Sequence, residues 1–314
     1  MTGDASGNTC KSARELFSMP IEISTADLIA LVQELQVLEG ARIDKFYQRD
    51  DEIIVHIYKP GDRKYRLLLA PGRAFLTRFK REMPERPPGF CMYLRKTLGG
   101  KVIERVEQYD FDRILRFHTD EDVIVAELFG QGNVIVTNKN DAVDGAMRPD
   151  DDRVEMDGQY DYPDPAGHPR DLDVEFLRGS PEEDIVVVLA ADMGIGGRYA
   201  EEVCARAGVD KNAAVADLDA ADVETVIGEL HGLFERLETG DLEPRMYSDA
   251  DGPVAATPVP FETYGEFEAE GFDSFSAALD TYYTEREKAE KRRRKREKYE
   301  EEAERLERRL QQQE

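Results

Sequence analysis

Between Lys59 and Arg105 the chain carries thirteen Lys or Arg against four acids (Asp62, Glu82, Glu85 and Glu104), a net of +9 in a protein whose formal charge is −25. An island of cations in an acidic chain is the composition of a phosphate-contacting surface, although the same residues serve equally well to pair with neighbouring carboxylates. A second candidate is the glycine cluster Gly194, Gly196 and Gly197. Glycines let a backbone approach a phosphate and, ahead of a helix, present N–H groups to it. The acids around this cluster, Asp192, Glu201, Glu202 and Asp210, weaken that reading, and a packing role accounts for the glycines equally well. A third is the run of six bases from Lys291 to Arg296, for which a solvated helical face is the default.

Covalent and metal chemistry find less support. Cys10, Cys91 and Cys204 are far apart and odd in number, with no CxxC pair, which argues against a disulfide framework and for reducing cytoplasm. Cys91, between Phe90 and Met92, reads as a small buried hydrophobe rather than a nucleophile. His56, His118, His168 and His231 show no HxxxH or HExxH spacing, and there is no GxxxxGK[ST] loop. No metal, nucleotide or other cofactor is expected.

The elements that must position these residues form a mixed α+β pattern. Leu28, Leu31, Val32, Leu35 and Leu38 mark an amphipathic helix over 24–39, ended by Gly40. Short β-rich runs follow at Arg42–Gln48, Glu52–Tyr58 and Tyr65–Leu69. A short helix is expected over Gly89–Leu98, then strands at Val102–Gln108, Asp112–His118, Val123–Phe129 and Asn133–Thr137. Residues 140–170, acidic and Pro-rich, read as a weakly ordered connector. Ser180-Pro181-Glu182-Glu183 signals a helix start, and helical texture runs to about Leu237. Strand-and-turn composition returns over 241–266. From Ser274 a long charged helix carries Tyr299, Ala303, Leu306 and Leu310 at coiled-coil spacing.

With 314 residues and 40% hydrophobic content, the composition is globular, and the length suggests about two domains. No apolar run reaches 18 residues and the first 20 lack an h-region, so a cytoplasmic protein with no membrane partner is expected. The surplus of carboxylates would self-repel at ordinary ionic strength. Molar salt, where the Debye length is about 3 Å, relieves that repulsion. With 29 Arg against 13 Lys, a salt-loving source is the expected setting.

The order Pro88-Gly89-Phe90-Cys91-Met92-Tyr93-Leu94-Arg95-Lys96, Gly99-Gly100-Lys101, Gln108, Asp112-Arg113 resembles the signature of the NFACT-N domain of ribosome quality control factors, the NEMF and RqcH family once called fibronectin-binding proteins. Glu127-Leu128-Phe129-Gly130-Gln131-Gly132-Asn133 resembles the family's next strand and turn, and Ser24-Thr25-Ala26-Asp27 with Leu38-Glu39-Gly40 its opening helix. Gly194-Ile195-Gly196-Gly197-Arg198-Tyr199 is similar to its helix-hairpin-helix module. The resemblance implies an antiparallel β-rich domain, related to the N-terminal domain of formamidopyrimidine-type glycosylases, over 20–178. A disordered extension is expected over 1–19, the hairpin module over 179–240, a return β segment over 241–273, and the start of a coiled-coil arm over 274–314. The family's C-terminal NFACT-R domain is missing, which suggests an N-terminal fragment whose helix would turn back on itself; a dimer through the coiled coil is the alternative.

In function, the resemblance implies binding to large (50S) ribosomal subunits obstructed by peptidyl-tRNA, and recruitment of tRNA, mainly alanine tRNA, for template-free tailing that marks stalled chains for degradation. Peptidyl transfer would be the ribosome's own chemistry, so no catalytic residue is expected. By motif match, the tRNA-binding residues would be Asp27, Asp112 and Arg113, with Arg95 and Lys96. The backbone of rRNA would meet Gly194, Gly196, Gly197, Arg198, Arg292 and Arg293. An arginine can grip a phosphate or base edge bidentately, and an aspartate can accept from base amino groups. Ser24-x-x-Asp27 is also a capping box. Asp112 and Arg113, adjacent on an expected strand, would face opposite ways. A base glycosylase or RNA-modifying enzyme is the competing class, but Thr2 stands where such glycosylases carry a proline nucleophile. A fibronectin-binding adhesin would need an export signal.

Overall fold

The computed structural model describes residues 22–164 and 167–311. The extension expected over 1–19, with Cys10, lies outside the described residues, as do the side chains of Ala303, Leu306 and Leu310. Helix α1, Thr25–Leu35, opens on a capping box in which the Ser24 side chain accepts from the Asp27 N–H and the Asp27 carboxylate accepts from the Ser24 N–H. Leu28, Leu31 and Leu35 are all fully buried, each worth about 1.5–3 kcal/mol of apolar burial. They place α1 at the centre of the main core.

A first antiparallel sheet follows in chain order: β1, Arg42–Arg49; β2, Glu52–Tyr58; β3, Lys64–Ala70; β4, Arg73–Leu76. Helix α2, Gly89–Leu98, packs on β1 through Cys91 and Leu94, both wholly buried. The second sheet is a five-strand meander: β5, Arg105–Gln108; β6, Ile114–His118; β7, Asp122–Glu127; β8, Asn133–Asn138; β9, Val143–Ala146. Strand β6 begins two residues later than expected. Asp110, at φ +43°, turns the chain, and Asp112 and Arg113 belong to the β5–β6 turn rather than to a strand with alternating faces.

The described part of the stretch expected to be a weak connector is packed. It supplies β9, and Val154 and Tyr160 close a second core against Ile114, Val125 and Ile135 on the far side of the second sheet. Helix α3, Val174–Arg178, comes next. The helix start expected at Ser180 falls instead at Ile185, because Asp184 pairs with Ala214 in an isolated bridge. One helical turn, Ile185–Val187, runs into a π-turn, Val188–Asp192. Helices α4, Gly197–Ala207, and α5, Ala220–Thr239, pack against each other, and α5 also lies on α1.

Strands β10, Arg245–Asp249, β11, Gly252–Thr257, and β12, Glu268–Gly271, form a third sheet in the order β11-β10-β12. The last described element is α6, Phe275–Gln311, 37 residues long. Its root is fixed to the core. Glu34 of α1 accepts from the Phe275 and Ser276 N–H groups, Asp280 accepts from Thr77 and the Arg78 N–H, and Phe75 stacks on Tyr283 at 5.4 Å. No described helix is long and apolar enough to cross a membrane.

Candidate nucleic-acid interface

The β5–β6 turn is a rigid mount. Gln108 Nε2 donates to the carbonyls of Thr25 (3.1 Å) and Asp112 (2.8 Å), tying the turn to the start of α1. Asp112 Oδ1 accepts from the Arg113 N–H at 2.5 Å, and the Arg113 carbonyl accepts from the Leu128 N–H at 2.9 Å. Phe111 is buried, with its ring 5.9 Å from Phe234 of α5 and 5.5 Å from His168. The backbone is therefore held at both ends and in the middle. Arg113 remains about one-third exposed, and its Nη1 meets Glu22 Oε2 at 2.9 Å, a partner itself 60% exposed. A surface ion pair of this kind is worth about 0–1 kcal/mol and is easily exchanged for a phosphate.

Asp27 is placed differently. It is 1% exposed, and its Oδ2 accepts from the Ser24 N–H (2.9 Å) and Ser24 Oγ (2.8 Å) and from Arg198 Nη2, while Oδ1 accepts from the Tyr199 hydroxyl at 2.8 Å. Four donors satisfy the acceptor capacity of one carboxylate. Arg198 spends Nη1 on the Ala256 carbonyl of β11 at 3.0 Å. Asp27 and Arg198 thus hold α1, α4 and the third sheet together, and a direct RNA contact by either would require breaking this cluster.

The glycine loop serves the same joint. Gly194 and Gly196 sit at φ +72° and +81°, in the left-handed region that a side chain would strain. The Ile195 and Gly196 N–H groups are spent on the Leu189 and Ala190 carbonyls of the π-turn. Gly197 opens α4, with open space where a Cβ would stand.

Arg95 Nε donates to the Phe46 carbonyl at 2.7 Å, and its guanidinium stands 5.4 Å over the Tyr47 ring, whereas Lys96 is exposed. Arg292 and Arg293 are exposed on α6.

The basic stretch divides. Arg73 and Arg81 both grip Glu52 and Glu287, Lys101 sits among Asp120, Glu121 and Asp122, and Arg105 pairs with Glu107. Arg63, Lys64, Arg78, Lys80, Arg86 and Lys96 are exposed. Sequence reasoning missed Phe111 as the anchor of the turn, and also the cations and aromatics of β1 and β2 beside the island, Lys45, Tyr47, His56 and Tyr58. Their polar-apolar alternation was the available signal.

Nothing described is poised for bond making by sulfur or metal. Burial pushes the Cys91 thiol up and that of Cys204 up to about 11, so both are protonated at neutral pH. No cluster of His, Cys, Asp or Glu among the described residues could hold a metal ion.

Comparison with known proteins converges on one family. An archaeal Rqc2 homolog, aRqcH, of Methanocaldococcus jannaschii is 29% identical over 84% of this chain and 42% of its own length. Ribosome quality control complex subunit 2 of Saccharomyces cerevisiae is 38% identical over 39% of this chain and 12% of its own length. The chain therefore spans less than half the length of these curated relatives. Among solved structures, the N-terminal part of the fibronectin/fibrinogen-binding protein of Streptococcus suis shares the fold, with a TM-score of 0.64 at 23% identity over 83% of this chain and 98% of that one. The NFACT N-terminal and middle domains match residues 24–314, and the chain belongs to the NFACT family as an RqcH-type member.

Proposed function

We propose that this chain is the RNA-gripping part of a cytoplasmic ribosome quality control factor. In this reading it binds large (50S) subunits still obstructed by peptidyl-tRNA and recruits tRNA, mainly alanine tRNA, for template-free extension of the stalled chain. The observation that carries the reading is the pairing of a preorganised backbone with an outward arginine at Asp112-Arg113. A guanidinium held on a fixed turn loses little entropy when it docks a phosphate or base edge. Peptidyl transfer stays with the ribosome, and the protein contributes placement. The test is co-sedimentation with obstructed large subunits, followed by sequencing of the retained tRNA. Alanine tRNA is retained by the wild type and lost with Asp112→Ala and Arg113→Ala; retention by both variants at the wild-type level overturns the assignment. Contact between rRNA and Arg292 and Arg293, and a dimer through the distal part of α6, belong to the same proposal.

The net charge of −25 supports a working environment of molar salt. The melting temperature is expected to rise between low and multimolar KCl. A flat or falling profile removes that part of the reading.

A further inference from the structure

The first sheet shows two faces. Phe46, Val55 and Leu67 point into the core, all at most 2% exposed. On the opposite face Lys45, His56 and Arg66 stand in register across β1, β2 and β3, with Tyr58 beside Lys64 in the next row. Toward β4 this outer face is covered, since Ile54, Leu68 and Phe75 are buried and Phe75 lies under Tyr283 of α6. The half from Lys45 to Lys64 is open. Its rim is completed by Arg78, Phe79 and Lys80, all exposed. They are drawn alongside by the Thr77 N–H donating to the Arg66 carbonyl at 2.8 Å and by the Arg66 guanidinium donating to the Arg78 carbonyl.

Among the described residues none of Lys45, Lys64, Arg66, Arg78 and Lys80 forms an ion pair with a carboxylate, whereas Arg73, Arg81, Lys101 and Arg105 of the same basic stretch all do. In a chain with 67 acids against 42 bases, a face on which five cations form no ion pair, and where Asp44 is the acid that reaches His56, matches a polyanion. Tyr58 and Phe79, 44% and 41% exposed, add aromatic surface within that field. A duplex buries its base faces and has no use for these rings, whereas unpaired bases stack on them.

We propose that the outer face of the first sheet binds an unpaired RNA strand, with phosphates on Lys45, Lys64, Arg66, Arg78 and Lys80 and bases on Tyr58 and Phe79. It is a contact surface additional to the Arg113 turn, which belongs to the second sheet, and it rests on the reading that the chain works on RNA. Stacking also survives salt that weakens the phosphate contacts.

The test uses the full chain and fluorescence anisotropy with a labelled oligouridylate of about 12 nucleotides, within the usual span of such grooves. Lys64→Glu combined with Lys80→Glu, both exposed, is expected to weaken binding at least about tenfold and to flatten its salt dependence by roughly 0.7 in slope per lost phosphate contact. Tyr58→Ala with Phe79→Ala is expected to cost about tenfold with the salt slope retained. Duplex RNA of the same length binds more weakly than the single strand. Thermal melting of each variant confirms folding. Wild-type oligonucleotide affinity in both double variants overturns the inference. So does equal competition by polyglutamate, which would make the face an acidic-polypeptide site. Parallel sedimentation with large subunits separates the two levels. If the wild type fails to sediment, the proposed function falls. If it sediments and the sheet-face variants still bind oligonucleotide normally, only this inference falls.

Discussion

Arg198 and Arg113 present the same side chain beside an acid, yet the molecule uses them in opposite ways. Arg198 bonds to a carboxylate that is 1% exposed and holds four donors, and its remaining bond goes to a strand backbone. Arg113 leans on a glutamate that is 60% exposed, from a turn whose own backbone is already fixed. The first joins elements; the second is mounted on them. Exposure of the acid and the number of its other donors, rather than the presence of an Asp or Arg in a motif, decide which arginine is free to meet a ligand. The open face of the first sheet falls on the Arg113 side of this division.

The largest effect is expected where the cluster is buried. Asp27→Ala leaves the Arg198 guanidinium and the Tyr199 hydroxyl without their acceptor and is expected to cost about 3–5 kcal/mol in urea-denaturation stability. Oligonucleotide binding by the protein that remains folded is expected to be unchanged. Wild-type stability with loss of tRNA binding would reverse the assignment and make Asp27 a contact residue.

Arg113→Ala should do the opposite. Stability is expected to move by less than about 0.5 kcal/mol, while tRNA affinity falls about 10- to 100-fold, the worth of one good bidentate contact. A variant that loses stability and binding together would place Arg113 among the joints. Glu22→Gln sharpens the same point with a smaller effect. Releasing Arg113 from its surface partner is expected to tighten tRNA binding up to about fivefold, the upper value of such a pair; weaker binding would show that Glu22 positions the arginine rather than competing for it.

Much of this was legible in advance because the signals were local. Leu28, Leu31 and Leu35 repeat with helical period, Ser24 and Asp27 form their capping box, and Glu52–Tyr58 reads as the strand it is. What the sequence concealed depended on distant partners. Asp27 and Arg198 are 171 positions apart, so a residue visible as a helix cap gave no sign that it also bonds a second module. Strand β4 has only four residues after Pro71-Gly72, too few for alternation to register. The stretch around Tyr160 and Tyr162 has loop composition, but it is ordered by stacking of Tyr162 on Tyr109 at 4.1 Å and by Arg116, whose guanidinium lies 5.0 and 5.6 Å from the Tyr109 and Tyr162 rings. The family motif drew attention to Asp112-Arg113, whereas the strand-like run through Ile114 hid the turn made by Asp110.

The smallest effect is one of pH. His56 stands on the open sheet face against Tyr47, whose ring centroid lies 4.7 Å away, and is reached by Arg66 and Lys64 from β3 and by Lys45 and Asp44 from β1. Burial first, then Arg66, hold its pKa below the ordinary 6.5; Asp44 pulls the other way, while Lys64 and Lys45 add to the depression. Between that depressed value and 6.5 the unfolded chain binds more protons than the folded one, so the contribution of His56 to stability is full above 6.5 and is lost as pH falls through the folded value. An RNA strand on the same face favours the charged ring. Acidification is therefore expected to raise oligonucleotide affinity by about twofold, one added cation in a screened field, while lowering the melting temperature. His118 and His168 are also depressed by burial and share the stability trend, so the discriminating readout is binding. His56→Gln should abolish the pH dependence of oligonucleotide affinity and leave that of tRNA retention at Arg113 unchanged. If the dependence persists in the variant, the charge that responds to pH lies elsewhere than His56.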